Sequence, residues 1–286
     1  MLSLLVTLLV SSSTHASIFG QDDRIDTINA DSQMQSLARS VPALIQKKNM
    51  KALPNGKFEL MGKKLSDFGF CSDETFAEEK QIANCSASFI GKNKILTAAH
   101  CLDKETYACE TYNVVFDYKR SSIPMAGAHT VDKSQVYSCK KIIYYKFDQT
   151  MASEDLAVIE LDRDVVGRSP IELDLKASLK VNDPLLMIGY PLGISQKVVT
   201  DGRVVKLDKK NVSFRHNLDT FSVNSGGPIF RADGTQVGVL VRGTGPNFNN
   251  RDGEPCARWH IDSGDGFADG NDLSPLRRQN IDLLSL

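Results

Sequence analysis

The chain has 286 residues, with 34 Lys and Arg against 35 Asp and Glu, a formal net charge of -1. That length buries one large core or two small ones, and the near-cancelling charge gives no electrostatic case for nucleic acid as a partner; the Lys cluster at 206–210 is broken by Asp208 and reads as a solvated turn. Six cysteines, at 71, 85, 101, 109, 139 and 256, fit an oxidising compartment, and none has the C-x-x-C or Cys/His spacing of a zinc site, so no metal and no cofactor is expected.

The chain opens on an apolar run, residues 1–10, too short to span a bilayer, followed by small polar residues to Ala16. Thr14 and Ala16 stand two apart, the spacing that a signal peptidase reads, although the n-region carries no Lys or Arg. Residues 1–16 are therefore expected to be a signal peptide cut after Ala16, giving a secreted or periplasmic protein that is off the membrane once cut. Residues 17–65 are polar and mixed, with a short helix expected over 31–39 and breaks at Pro42 and Pro54. They read as an N-terminal arm or pro-segment without assignable chemistry.

From 66 onward apolar residues alternate over short runs between turn clusters, at 81–95, 112–118 and 136–145, then at 184–191, 203–207, 211–214, 228–230 and 236–241. Period-two runs at this spacing predict two antiparallel barrels, about 66–165 and 166–286. The acidic, Gly-rich run 262–272 lacks the spacing of an EF-hand and reads as a surface loop. No heptads, repeats or transmembrane span appear.

Three short stretches carry chemistry: Thr97-Ala98-Ala99-His100-Cys101, Asp155-Leu156-Ala157-Val158-Ile159-Glu160-Leu161, and Asn224-Ser225-Gly226-Gly227-Pro228. A serine hydroxyl is a poor nucleophile at neutral pH, so it needs an imidazole to take its proton and a carboxylate to hold that imidazole in one tautomer. His100, Asp155 and Ser225 can fill those roles. The α/β-hydrolase arrangement is excluded, because it needs Gly-x-Ser-x-Gly, where Val223 stands in place of the first glycine, and the order Ser, Asp, His. Asp162 and Asp164 follow their strand and are expected to face solvent. His129, His216 and His260 lack catalytic context and read as surface or packing residues.

At 96–101, 155–161 and 224–228 the chain resembles the trypsin-like (chymotrypsin-fold) serine peptidases, whose chain order is also His, Asp, Ser. The resemblance covers about residues 70–286 and implies an all-β fold of two packed six-stranded antiparallel barrels. It implies a monomeric serine endopeptidase acting on protein or peptide substrates through an acyl-enzyme on Ser225, with His100 as base then acid and Asp155 as orienting carboxylate. The family's oxyanion hole corresponds to the N–H groups of Ser225 and Val223. Val223 replaces a glycine, and a β-branched residue is expected to turn its N–H inward less readily.

Asp219 stands six before Ser225, the register of the acid at the base of a trypsin-like primary pocket, which implies cleavage after Arg or Lys; the competing reading is that it orients its own loop. Val241-Arg242-Gly243 matches the strand that pairs with substrate backbone, with Thr220, Gly243 and Gly245 lining the pocket. The family's disulfide that pins the histidine loop corresponds to Cys85–Cys101. The other four cysteines admit three pairings, of which Cys109–Cys139 with Cys71–Cys256 is the working choice. Ile18-Phe19-Gly20 resembles the new N-terminus of activated zymogens, but Asn224 replaces the aspartate that receives that amine, so no amine-to-carboxylate switch is expected. Asn at this position is a likeness to secreted bacterial peptidases related to the glutamyl endopeptidases. The alternative from another class is an inactive peptidase homologue acting as a binding module.

Overall fold

The structure is a computed structural model and describes residues 17–102, 108–120, 129–147, 154–176, 178–208, 210, 212–243, 246–250, 253–262 and 266–278. The expected signal peptide lies outside the described residues. Among those described, no helix is long and apolar enough to cross a membrane.

Barrel 1 runs through strands Ala43–Gln46, Tyr112–Val115, Val136–Phe147, Asp155–Leu161 and Lys94–Thr97, then Ser88–Gly91 at one edge and Cys85–Ser86 at the other. These last two are one chain path interrupted only at Ala87, whose N–H donates to Pro42 O at 3.0 Å. One half pairs with Lys94–Thr97 and the other with Ala43–Gln46, so the ring closes on six strands. Barrel 2 follows the order Pro184–Gly189, Pro228–Phe230, Gln236–Gly243, Ala268–Asp272, Ser213–His216 and Lys197–Asp208, and its first and last strands pair directly. Pairing thus runs around each ring, past the break at Ala87 in barrel 1 and through the direct pairing of first and last strands in barrel 2. Antiparallel all-β architecture follows from short β-branched runs such as Asp155–Leu161, buried at every position but Glu160 because one face fills barrel 1 and the other packs against neighbouring structure.

The segment 17–65 is built into this architecture. Ala43–Gln46 is itself a barrel strand, so barrel 1 starts at Ala43 and not at 66. Ile25–Asp26 adds to Lys197–Asp208 of barrel 2, and Ile18–Phe19 pairs in parallel with Ile261–Asp262. The short helix is Ser32–Ala38, started by Asp31, whose carboxylate accepts the Met34 N–H at 2.8 Å. It buries Met34 and Ala38 among Ile45, Ile188, Tyr190 and Phe230, in the core between the barrels.

The run 262–272, expected as a surface loop, is largely strand: Ala268–Asp272 is the fourth strand of barrel 2, and its Asn271 is fully buried. Residues 263–265 lie outside the described residues. The loop-like composition has a packing cause. A side chain at Gly270 would meet the Phe214 ring at 2.6 Å, so this strand uses glycine where its neighbour's aromatic ring comes close.

Cysteines pair as Cys85–Cys101, Cys109–Cys139 and Cys71–Cys256. A buried ion cluster adds a further tie. Lys197, 1% exposed, donates to Asp26 Oδ1 at 2.7 Å, Glu79 Oε1 at 2.9 Å and Ser195 Oγ at 2.9 Å, joining the N-terminal arm, the loop before Cys85 and barrel 2. Removing one partner of a buried ion pair strands the other charge, so Glu79→Ala is expected to cost about 3–5 kcal/mol in urea unfolding. A loss within that of an ordinary surface substitution would show that Asp26 alone satisfies Lys197.

Candidate active site

Strand Lys94–Thr97 runs into a single tight turn, Ala99–Cys101, that holds His100. Ala98 and Ala99 are fully buried, small enough for the turn to pack flat beneath the imidazole. The histidine is gripped at two points by one carboxylate. Its backbone N–H donates to Asp155 Oδ1 at 2.9 Å, and its Nδ1 lies 2.7 Å from Asp155 Oδ2. With a carboxylate oxygen as acceptor at Nδ1, the neutral ring carries its proton there and leaves Nε2 free to accept.

Asp155 opens strand Asp155–Leu161 and is 1% exposed. Its own N–H donates to Oδ1 of Asn271 at 2.7 Å. Asn271 belongs to barrel 2, so the backbone of the residue paired with His100 is tied to both barrels. Sequence reading missed Asn271 because it placed that residue in a loop; hydrophobic alternation gives no signal for a buried amide on a Gly-rich strand.

Ser225 enters from barrel 2 and lines, with His100, a cavity of about 300 Å³. Its loop is shaped by backbone bonds: Asn224 N–H to Phe221 O at 3.0 Å, Gly227 N–H to Asn224 O at 2.8 Å, and Gly226 N–H to Leu240 O at 2.8 Å. A side chain at Gly226, at φ +83°, would come within 2.1 Å of Ser86 O and Thr97 Oγ1. Only glycine permits that approach.

Val223 adopts φ +75°, the left-handed region favoured by glycine. The expected resistance of its β-branched side chain is therefore overcome, at a cost of roughly 1–3 kcal/mol. Two contacts offset it: the side chain packs against the inter-barrel core, and the Val223 carbonyl accepts the Ser86 hydroxyl at 3.1 Å. Ser86 serves this loop throughout, since its Oγ also accepts the Tyr190 N–H at 3.1 Å and its own N–H donates to Ser225 O at 2.8 Å. Among the described residues, the N–H groups of Val223 and Ser225 meet no acceptor, and both residues border the cavity. Ser86 was not singled out from the sequence, where it is one serine of an ordinary strand.

The expected pocket residues separate into two groups. Val241, Arg242 and Gly243 border the cavity, together with Phe221 and Ser222. Asp219 and Thr220 do not. The Asp219 carboxylate is turned into the N-terminal arm, where Oδ1 accepts the Phe19 N–H at 2.7 Å and Oδ2 the Asp23 N–H at 3.3 Å. The expectation of a pocket-base acid is corrected accordingly: the arm supplies two N–H donors to this buried carboxylate, and Asp219 is not among the residues that line the cavity. Thr220 is fully buried and donates its N–H to Ser17 O at 3.2 Å. Gly245 lies outside the described residues. Asp162 and Asp164 are exposed, and His129 and His216 are buried, burial pushing their imidazoles down to about 4 and about 3, so both stay neutral at physiological pH.

A histidine held by a buried carboxylate in one closed barrel, facing a serine loop of a second, defines the double-barrel serine-peptidase class. The family model for the trypsin-like peptidase domain matches residues 85–239, more than half of the chain, and the chain belongs to that family of serine-type endopeptidases. Among solved structures, the chain is similar to the Vibrio cholerae VesB protease at 16% identity and a TM-score of 0.51, over 90% of this chain and 66% of that one. It is similar also to a Glu endopeptidase solved in complex with MPD, at 16% identity and a TM-score of 0.54, over 93% of this chain and 97% of that one. The chain thus spans 66% of the Vibrio protease's length, and at these identities the likeness is one of fold. No curated protein matches the sequence.

Two outcomes test the site's construction. Ser86→Ala frees the Val223 carbonyl and is expected to slow fluorophosphonate labelling of Ser225 by about fivefold to tenfold, the worth of one hydrogen bond; an unchanged rate would show that the loop holds itself. Burial pushes Asp219 up to about 7, whereas an unfolded aspartate ionises near 4. Between those values the unfolded chain binds fewer protons, so this group's contribution falls as pH rises and its full cost is felt above about 7. Urea midpoints of wild type relative to Asp219→Asn should therefore decline from pH 4 to pH 8. Parallel curves would show an unshifted carboxylate.

Proposed function

We propose that the chain is a secreted serine endopeptidase in which Ser225 is the nucleophile, His100 the general base and then acid, and Asp155 the orienting carboxylate. The observation that carries this reading is the two-point grip of Asp155 on His100, 2.9 and 2.7 Å, beside a cavity that Ser225 also lines. Ser225 Oγ attacks the scissile carbonyl while His100 Nε2 takes its proton. Charge on the tetrahedral oxygen is received by the N–H groups of Val223 and Ser225, which no protein acceptor competes for among the described residues. The imidazolium, stabilised by Asp155, then gives its proton to the leaving amine, and water hydrolyses the acyl-enzyme by the same steps in reverse roles. Asn271 keeps the Asp155 backbone fixed as charge moves on and off the imidazole.

Export after a cut behind Ala16 is supported by three disulfides. Cleavage after Arg or Lys rested on Asp219, which faces the arm, and is not carried forward. The test is intact-mass analysis after exposure to a fluorophosphonate. One adduct per chain is expected, absent in Ser225→Ala and in His100→Ala, with peptide hydrolysis by Asp155→Asn reduced by about 10⁴. Folded wild type that takes no label would overturn the enzymatic reading in favour of a binding homologue.

A further inference from the structure

We propose that Arg242 reads an acidic side chain of the substrate, at the second or fourth residue before the scissile bond. This rests on the proposed function only for where the cut falls. Strand Gln236–Gly243 pairs along one edge with Ala268–Asp272 up to Gly243, but along the other with Pro228–Phe230 only as far as Val239, where Gly226 and Gly227 take over at Leu240. Residues 241–243 therefore present an open strand edge to the cavity. That is the geometry for an extended peptide to add as one more strand.

A peptide whose reactive carbonyl reaches Ser225 and which runs antiparallel along this edge sets the residue at the cut opposite Val241, the second opposite Arg242 and the third opposite Gly243. Directly opposed residues share a face of the sheet, and a long side chain also reaches the diagonal neighbour. The second and fourth substrate side chains thus lie on the face of Arg242.

The chemistry follows from the guanidinium. Among the described residues lining the cavity, Arg242 is the one Lys, Arg, Asp or Glu. Its Nε and Nη2 are buried without a hydrogen-bond partner among the described residues. Those two atoms form one edge of the planar fork, the edge with which Arg24 in this same protein grips Asp22, Nε to Oδ1 at 2.8 Å and Nη2 to Oδ2 at 2.7 Å. Asp269 stands opposite Arg242 in the strand register and offsets part of its charge, but makes its ion pair with Arg215, at 3.6 Å. Shielded cationic donors without acceptors are costly. A substrate carboxylate supplies both acceptors once the side chain rotates outward into the cleft, and a bidentate carboxylate matches the fork as an amide does not.

The experiment uses peptides carrying Glu or Gln, one position at a time, at each of the four residues before the cut. Two readouts are taken: kcat/KM with wild type, and anisotropy binding to Ser225→Ala, which needs no catalysis. Glu is expected to be preferred over Gln by about 10- to 100-fold at the second or fourth position. That preference should weaken in Arg242→Lys, which keeps the charge without the fork, vanish in Arg242→Met, and shrink with added salt. Equal treatment of Glu and Gln at both positions, a preference confined to the residue at the cut, or one that survives in Arg242→Met overturns the proposal. If wild type takes no fluorophosphonate while Ser225→Ala still discriminates through Arg242, the catalytic reading falls and this one stands.

Discussion

A carboxylate removed from water must be given partners, and Asp155 is given His100 twice over. The arrangement satisfies both oxygens with donors from one residue, so the imidazole can neither rotate nor change tautomer without breaking a bond to a buried charge. The rest of the architecture makes this possible. Asp155 needs a rigid strand start, which the pairing of Asp155–Leu161 with Lys94–Thr97 and Val136–Phe147 supplies, and the first of these partners is the strand that ends in the His100 turn. One strand pair thereby delivers both members at a fixed register.

The two barrels meet at that point by more than contact. Asn271 reaches from barrel 2 to the Asp155 N–H, and Ser86 reaches from barrel 1 to Val223 and Ser225. Each barrel thus supports the other's contribution to the cleft. Such reciprocal ties explain how a loop containing a left-handed valine persists: the strain at Val223 is local, and the bonds that offset it come from an element 137 residues away.

The N-terminal arm carries a different load. It gives a strand to barrel 1, an added strand to barrel 2, two N–H donors to Asp219 and one carboxylate to the Lys197 cluster. A segment with so many backbone pairings is packed into both barrels.

Double-barrel architecture, the pairing of His100 with Asp155 and the Ser225 loop beside them were legible in the sequence, because period-two alternation reports half-buried strands and because the small residues flanking His100 and Ser225 are required by turns that pack at close range. The sequence could also single out Val241 to Gly243, which border the cavity. It could not say that Asp219 turns away from the cavity, that Asn271 lies buried on a strand, or that Ser86 supports the serine loop. Each of those depends on which donor lies within about 3 Å in space, and the partners stand 116 to 200 residues away in the chain. Local pattern determined the strands and the reactive groups. Only the closing of the two barrels decided which polar atoms met, since hydrogen-bond partnership is a matter of position and leaves no periodic trace.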